Sequence, residues 1–363
     1  MKTRAYNFGA GPATLPLEIL EEAKEELLNW QGLGMSILEI GHRTPPFMQL
    51  MEDLTADFRE ILAIPNDYHV LFLNGPARAQ FAMIPLNLLN NEQKAGYLIS
   101  GVWSSYAYEE ACKLKKAYCV ASTSDLNFTE VPKPKNWDIQ EDTTYLYYTP
   151  NETIDGVRFH DTPKVDNIPL IADMTSCLLS EPINIRDYGL IFAGAQKNIS
   201  IAGLTIVILR NDLLEKSPDL KIPTMLDYQI QVSHKSLYAT PPGFNCYLAH
   251  KMLRWIKAKG GIDSLYQINC KKAALLYDYI DDSTFYKSEI NKNSRSIVNI
   301  CFTLERENLI DEFLIKANKH GLLALKGHRI KGGLRASLYN AMPIEGVLSL
   351  ITFMDDFAKE QSK

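Results

Sequence analysis

Short apolar runs without alternating polar positions dominate the middle of the chain. Three of them follow closely on one another, at 169–172 (PLIA), 188–193 (YGLIFA) and 203–209 (GLTIVIL). Similar runs occur earlier, at 70–73, 96–100 and 145–148. Runs of this kind are typical of strands buried on both faces of a mostly parallel sheet. The pattern therefore predicts an α/β fold with a mostly parallel central sheet.

The two ends of the chain follow other patterns. Residues 1–16 are polar and punctuated by Gly and Pro, so we expect an extended arm. Pro16 should then open an amphipathic helix with an apolar stripe formed by Leu17, Leu20, Leu27 and Leu28. Toward the other end, helices are predicted at 264–280, 308–320 and 344–360, and strands at 297–304 and around Arg335. We expect a large domain at 17–257 and a smaller α+β C-terminal domain at 258–363.

Composition excludes several classes of protein. The net charge of the 363 residues is −5 and the basic residues are scattered, so no nucleic-acid footprint is visible. No apolar run approaches the roughly 18 residues of a membrane helix, and no signal peptide is evident. The six cysteines show no C-x-x-C and no metal-site spacing. We therefore expect reduced thiols, no metal and a cytoplasmic location.

Two residues of complementary chemistry follow the apolar runs. Asp173 comes directly after one run and Lys197 shortly after the next, so both should lie at the ligand-binding edge of the sheet. A buried lysine amine has a lowered pKa and can form a Schiff base with the aldehyde pyridoxal 5′-phosphate (PLP). A carboxylate can keep the pyridine nitrogen of PLP protonated. The alternative is a solvated lysine and a carboxylate that caps a turn, and spacing alone does not decide between them.

Longer motifs favour the first interpretation. The segments DMTS (173–176), YGLIFAGAQKN (188–198) and AGLTIV (202–207) resemble the cofactor-lysine segment of the phosphoserine aminotransferase family. Four other stretches agree, at 7–16, 147–156, 240–244 and 327–343. The resemblance covers residues 7 to about 356. It implies a fold-type I PLP-transferase of aminotransferase class V.

The resemblance also implies which residues hold the cofactor. They are Ala77, Arg78, Trp103, Thr153, Asp173, Gln196, Lys197, Ala239 and Thr240. Lys197, Asp173 and Trp103 are the implied catalytic residues, with the indole stacked on the pyridine ring. Independently of the family, residues 70–89 have the strand, turn and helix order that suits a phosphate. Relatives have Asn where this chain has Ala239, so we expect weaker retention of the cofactor.

Substrate-binding positions are implied in the same way. They are Gly9, His42, Arg43, Arg78, His328, Arg329 and Arg335. Arg335 would clamp the α-carboxylate, because a planar guanidinium suits bidentate binding. The alternative for each His and Arg is a solvated basic residue or a surface turn. The chain departs from the family pattern at Gly9, Gly41, 44–46, 76–77 and Ala239.

The implied reaction is amino transfer between glutamate and 3-phosphooxypyruvate, which gives phosphoserine and 2-oxoglutarate for serine synthesis. The resemblance further implies a homodimer with shared sites, and the family also serves pyridoxine synthesis. Two alternatives stay open. One is another class V aminotransferase, such as the serine–glyoxylate type, and the other is a PLP-binding relative that has lost turnover.

Overall fold

The computed structural model describes residues 4–215 and 221–361. Its strands are β1 (Tyr6–Asn7), β2 (Tyr68–Asn74), β3 (Lys94–Ile99), β4 (Lys116–Ser122), β5 (Thr143–Tyr148), β6 (Leu170–Asp173), β7 (Leu190–Gly194), β8 (Leu204–Arg210), β9 (Tyr286–Lys287), β10 (Asn299–Leu304), β11 (Leu322–Leu323) and β12 (Leu334–Ser337). Its helices are α1 (Leu17–Glu26), α2 (Pro45–Ile61), α3 (Gln80–Leu88), α4 (Val102–Leu114), α5 (Asn211–Glu215), α6 (Tyr228–Ser233), α7 (Gly243–Ala258), α8 (Gly261–Asp282), α9 (Ile310–Lys319) and α10 (Ile344–Gln361).

The central sheet has seven strands in the order β2-β8-β7-β6-β5-β3-β4. All the strands predicted from apolar runs in the first 210 residues lie in it. The neighbours from β7 through β4 pair in parallel, whereas β8 is antiparallel to both β2 and β7. Strands β6 and β7 are buried along their whole length, which explains their uninterrupted apolar sequence. The prediction of a mostly parallel sheet is confirmed.

The predicted stripe on the first helix is wrong. The helix begins at Leu17 as expected, but it buries Ile19 and Ala23 instead. The exposed fractions of Leu17 and Leu28 are 48% and 82%. The helix ends at Glu26, so the last two leucines of the predicted stripe lie beyond it. The face that packs inward is set by its i and i+4 neighbours, Ile19 and Ala23.

The C-terminal part forms a second layered unit. Strands β12, β10 and β9 make an antiparallel sheet, and Arg335 lies on β12 as predicted. Helix α9 ends at Lys319, and Gly321 adopts the left-handed conformation (φ +74°) expected after a helix. The N-terminal arm joins this unit, because β1 pairs in parallel with β11. The division of the chain at residue 258 stays a prediction.

The two consecutive prolines in segment 236–244 predict an extended stretch without helix, but helix α7 begins within it, at Gly243. Within the described ranges no helix combines the length and apolarity that crossing a bilayer requires. All six cysteines lie in those ranges and carry free thiols. Residues 4–215 and 221–361 contain no group of three or more His, Cys, Asp or Glu arranged for a metal ion.

A buried lysine holds the loop that follows β12. Lys272 of α8 donates to the carbonyl oxygens of Leu338, Tyr339 and Met342 at 2.9–3.0 Å. Burial lowers the pKa of Lys272 to about 7, while three acceptors favour its charged form. Because the loop continues directly from the strand of Arg335, this amine fixes the backbone beside the site described next.

Candidate active site

Asp173 and Lys197 lie together at the carboxyl edge of the central sheet. Asp173 is the last residue of β6, and Lys197 follows the end of the adjacent parallel strand β7 by three residues. Asp173 and Lys197 are each only 6% exposed to solvent. Both line one cavity of about 260 Å³ at that edge. The structure therefore brings the acid and the amine into a common site.

The environment of Lys197 makes its amine easier to deprotonate than an exposed lysine. Its Nζ donates to the hydroxyl of Thr153 at 2.5 Å. Burial lowers the pKa of Lys197, the charge of Asp173 raises it and the charge of Arg335 lowers it, which together leave a value of about 8. An amine with this pKa is partly unprotonated near neutral pH, so it can act as a nucleophile or a base.

The environment of Asp173 suits a carboxylate that pairs with a cation. Its Oδ1 accepts the backbone N–H of Thr175 at 2.9 Å. Burial raises the pKa of Asp173, while the hydrogen bonds from Thr175 and the charge of Lys197 lower it. A buried carboxylate in this state is stabilised by a positive group placed against it. The protonated ring nitrogen of PLP is such a group.

The opposite wall comes from the segment after β2 and from the start of α4. Ala77 and Arg78 form a short helical turn, and the first N–H groups of such a turn have no helical acceptor. The Arg78 guanidinium lies over the rings of Trp103 and Tyr106, at 5.2 and 4.9 Å from their centroids. Gln196 lines the same cavity. These groups offer an aromatic face and donors for a phosphate.

The cavity also contains polar atoms that lack a partner. Thr149 Oγ1 and Trp103 Nε1 are buried, and neither atom has a hydrogen-bond partner among the described residues. Both residues line the cavity. Buried polar atoms are nearly always hydrogen-bonded in folded proteins, so this cavity is suited to a polar ligand. The residues present therefore fit PLP.

The N-terminal arm closes one side of the site. The N–H of Ala13 donates to the carbonyl oxygen of Gln196 at 2.9 Å. The hydroxyl of Tyr339 donates to the carbonyl oxygen of Ala10 at 2.8 Å. A Cβ added at Gly11 would lie 3.4 Å from the side chain of Gln196. Gly9 lies two residues before this contact, and its N–H bonds the side chain of Asn7.

Other predicted residues lie at different distances from this centre. Arg335 is joined to it, because its Nη1 donates to the carbonyl oxygen of Thr153 at 3.1 Å. The carbonyl oxygen of Thr240 accepts a hydrogen bond from Asn74 Nδ2, at the end of β2, at 2.8 Å. The predicted residues that do not line the cavity of Lys197 within one chain are Gly9, His42, Arg43, Ala239, Thr240, His328, Arg329 and Arg335. His42 Nε2 is buried without a hydrogen-bond partner in the described part of the chain.

The sequence did not point to two polar residues that line the cavity, Asn151 and Ser176, which form its polar floor. Asn151 Nδ2 donates to Ser176 Oγ and to Asn299 Oδ1, both at 2.8 Å, and Asn151 and Ser176 line the cavity. Residues 151–153 match a glycosylation sequon by chance, and that match carries no information here. The useful signal was their position, since they follow strand β5 at the same sheet edge as Asp173.

The family model described as aminotransferase class-V matches residues 5–350 of the chain. The chain belongs to this family, whose members are PLP-dependent enzymes.

Within that class the similarity is more specific. Phosphoserine aminotransferase of Legionella pneumophila strain Philadelphia 1 is 60% identical over 360 residues, which is 99% of each chain. The structure of phosphoserine aminotransferase from Bacillus circulans subsp. alkalophilus is 44% identical, with a TM-score of 0.96 over 99% of each chain. The PLP-bound enzyme of Trichomonas vaginalis is 39% identical, with a TM-score of 0.94 over 97% of this chain and 100% of that one. The chain thus falls in the phosphoserine aminotransferase branch of the family.

The pKa of Lys197 predicts how the stability of the cofactor-free protein depends on pH. Burial lowers this pKa from 10.5 to about 8, so between these values the unfolded chain binds a proton that the folded chain lacks. Stability is therefore expected to rise by about 2 kcal/mol from pH 8 to pH 10, relative to a Lys197→Met variant. Urea unfolding of both proteins across this range measures the difference. A difference that stays constant with pH would contradict the expectation.

Proposed function

We propose that this enzyme transfers an amino group between glutamate and 3-phosphooxypyruvate, giving O-phosphoserine and 2-oxoglutarate. The observation that carries the proposal is the pairing of a buried amine of lowered pKa, Lys197, with the buried carboxylate of Asp173 in one cavity. The full-length similarity to phosphoserine aminotransferases supports the choice of substrate.

The cofactor would be held by the residues that line the cavity. Lys197 would bind its aldehyde, Asp173 its ring nitrogen and Trp103 one face of its ring. Ala77, Arg78 and Gln196 would receive its phosphate. When bound, PLP supplies an electron-poor ring that accepts the electron pair released when the Cα–H bond of an amino acid breaks.

Lys197 has the main part in the chemistry. Once its Nζ is free as the neutral amine, it can remove the proton from Cα of the substrate and later return a proton. The pKa near 8 keeps this atom close to the operating pH, where proton transfer is most effective in both directions. Thr153 holds Nζ at hydrogen-bond distance and so fixes the position of the base.

Arg335 would orient the substrate's α-carboxylate. One of its nitrogens is anchored to the carbonyl oxygen of Thr153, which leaves the rest of the guanidinium available. A bidentate pair with a carboxylate fixes the direction of the substrate. Because Thr153 contacts both Arg335 and Lys197, this residue sets the distance between substrate clamp and base.

The distal phosphate of the substrate would meet the remaining basic residues. These are His42, Arg43, Arg78, His328 and Arg329. Arg78 lines the cavity of its own chain, whereas the other four do not, and we propose that several of these four serve the site of a second copy in a homodimer. The exposed apolar side chains before His42 support a covered surface there, namely Leu28, Leu33, Met35 and Leu38. Cytoplasmic location and use of a pyridoxine-pathway substrate stay predictions from the resemblance.

A comparison of amino donors tests the proposal. The purified holoenzyme is mixed separately with phosphoserine, serine and alanine, and the change in cofactor absorbance gives the rate of each half-reaction. We expect phosphoserine to react at least about 100-fold faster per unit concentration, since only its phosphate uses the distal cations. Faster reaction of serine or alanine would favour a serine–glyoxylate type enzyme. Bound cofactor that reacts with none of them would indicate a relative without turnover.

A further inference from the structure

Two buried carboxylates beside the active site have no part in the chemistry described above. Glu152 and Asp155 are 0% and 2% exposed. They flank Thr153 on the loop that follows β5, so they belong to the segment that positions Lys197 and Arg335. Burial, followed by the charge of Asp155, raises the pKa of Glu152 to about 8, and burial also raises that of Asp155. Carboxylates are rarely buried this fully without a specific role.

Both side chains bind the first turn of helix α4. Glu152 accepts the N–H groups of Trp103 and Ser104 at 3.0 and 2.8 Å, and also the Ser104 hydroxyl at 2.6 Å. Asp155 Oδ2 accepts the N–H of Val102 at 2.8 Å. The carboxylates therefore satisfy three donors that every helix leaves open at its start. One of these donors belongs to Trp103, the residue expected to stack on the cofactor.

The close approach requires a glycine before the helix. A Cβ added at Gly101 would lie 2.5 Å from Asp155 Oδ2 and 2.5 Å from Glu152 Cδ. Its backbone is extended (φ 179°), so the requirement is space and not conformation. The sequence thus leaves room for two carboxylates where one would suffice to cap a helix.

Asp155 also reaches a loop of the C-terminal unit. Lys331 Nζ lies 3.0 Å from Asp155 Oδ1 and donates to the carbonyl oxygen of Asn127. The same ammonium lies 5.5 Å from the centre of the Phe128 ring. Lys331 therefore holds the loop at 327–333 through three contacts, and Asp155 is the charged one.

The loop at 327–333 carries two predicted phosphate contacts. His328 and Arg329 precede Lys331, and the N–H groups of Lys331 and Gly332 both bond the carbonyl oxygen of His328. The loop is a tight turn, since the N–H of Gly327 also donates to the carbonyl oxygen of Gly333. A displacement of Lys331 would consequently move the backbone of His328.

We propose that Asp155, supported by Glu152, is a positioning residue that ties the start of the Trp103 helix to the His328–Arg329 loop through Lys331. The contact gives the cofactor wall and the phosphate-binding loop a common anchor. The substrate part of this inference rests on the proposed function, because it assumes that His328 and Arg329 bind a phosphate. The mechanical part, a tethered loop, does not.

A set of Lys331 variants tests the substrate part in the holoenzyme. Lys331→Gln removes the charge, Lys331→Arg keeps it, and Lys326→Gln is the matched control, since no ion pair of Lys326 occurs among the described residues. We expect Lys331→Gln to raise KM for phosphoserine about tenfold with kcat within about twofold, because the loop binds but does not react. Lys331→Arg should restore most of the affinity. The cofactor absorbance should be the same in all four proteins.

Hydrogen exchange tests the tether without any substrate. Lys331→Gln is expected to speed amide exchange in 327–333 about tenfold, and Asp155→Asn to do so both there and in the first turn of α4. Lys326→Gln should change neither. Unchanged exchange of the loop in Lys331→Gln, or an equal KM in Lys331→Gln and Lys326→Gln, would overturn the inference. A wild-type enzyme that prefers serine to phosphoserine would instead overturn the proposed function, and the exchange result would still decide on the tether.

Discussion

Replacing Lys197 by alanine is expected to lower the rate of amino transfer by about 10⁴-fold or more. The variant loses the atom that would hold the cofactor and the base that would move the Cα proton, and each such role is worth about 10²- to 10⁴-fold. No other amine of the described chain lines the cavity. Single-turnover kinetics with phosphoserine, followed by cofactor absorbance, measures the loss.

The Lys197→Ala variant should still fold stably. The hydrogen bond of the amine goes to Thr153, and removing a buried amine of lowered pKa relieves a desolvation penalty. We expect a melting temperature equal to or above that of the cofactor-free wild type. Lys164→Ala, a change at an exposed lysine, should leave the rate unaltered. Activity of Lys197→Ala within about tenfold of Lys164→Ala would mean that the site has been misidentified.

Asp173→Asn is expected to reduce kcat about 10³-fold while leaving the cavity intact. The amide has the same shape but no charge, so it cannot hold a positive ring nitrogen opposite it. Loss of one such electrostatic contact typically costs about 10²- to 10³-fold in rate. The charge of Asp173 also raises the pKa of Lys197. Its removal should therefore move the titration of the lysine to lower pH.

Two measurements separate these effects. The pH dependence of kcat reports groups that titrate in the enzyme–substrate complex, where the amine of Lys197 would be free, and kcat at its optimum reports the loss of the charge. Asp166→Asn is a suitable control, because Asp166 lies on the same segment, exposed and away from the cavity. If Asp173→Asn and Asp166→Asn have equal kcat, the carboxylate does not act on the cofactor ring.

The sequence located the strands well and the helix faces less well. An uninterrupted apolar run such as 203–209 gives a strand because both faces of the sheet are covered, and this requirement is local. Its antiparallel direction in β8 was not readable, since a buried strand has the same composition in either direction. For α1 the leucines suggested one face, whereas packing selected Ile19 and Ala23.

The candidate site divides in the same way. The sequence pointed to Asp173, Thr153, Lys197 and Arg335 through their positions after strands and through motif resemblance. The polar floor of Asn151 and Ser176 and the stacking of Arg78 on Trp103 were missed, because they depend on contacts between distant segments. The roles assigned to all the site residues stay predictions. Those that do not line the cavity within one chain are Gly9, His42, Arg43, Ala239, Thr240, His328, Arg329 and Arg335.

The sequence by itself determined the class of fold, the acid and the amine, because strand burial and strand ends leave periodic and local marks on the chain. Only the tertiary structure decided the pKa values of these groups and the contacts around them. The lowered pKa of Lys197 and the anchoring of α4 by Glu152 and Asp155 arise from desolvation and from contacts across about 50 residues of chain. Such effects depend on what surrounds a side chain in space, and the order of residues does not record that.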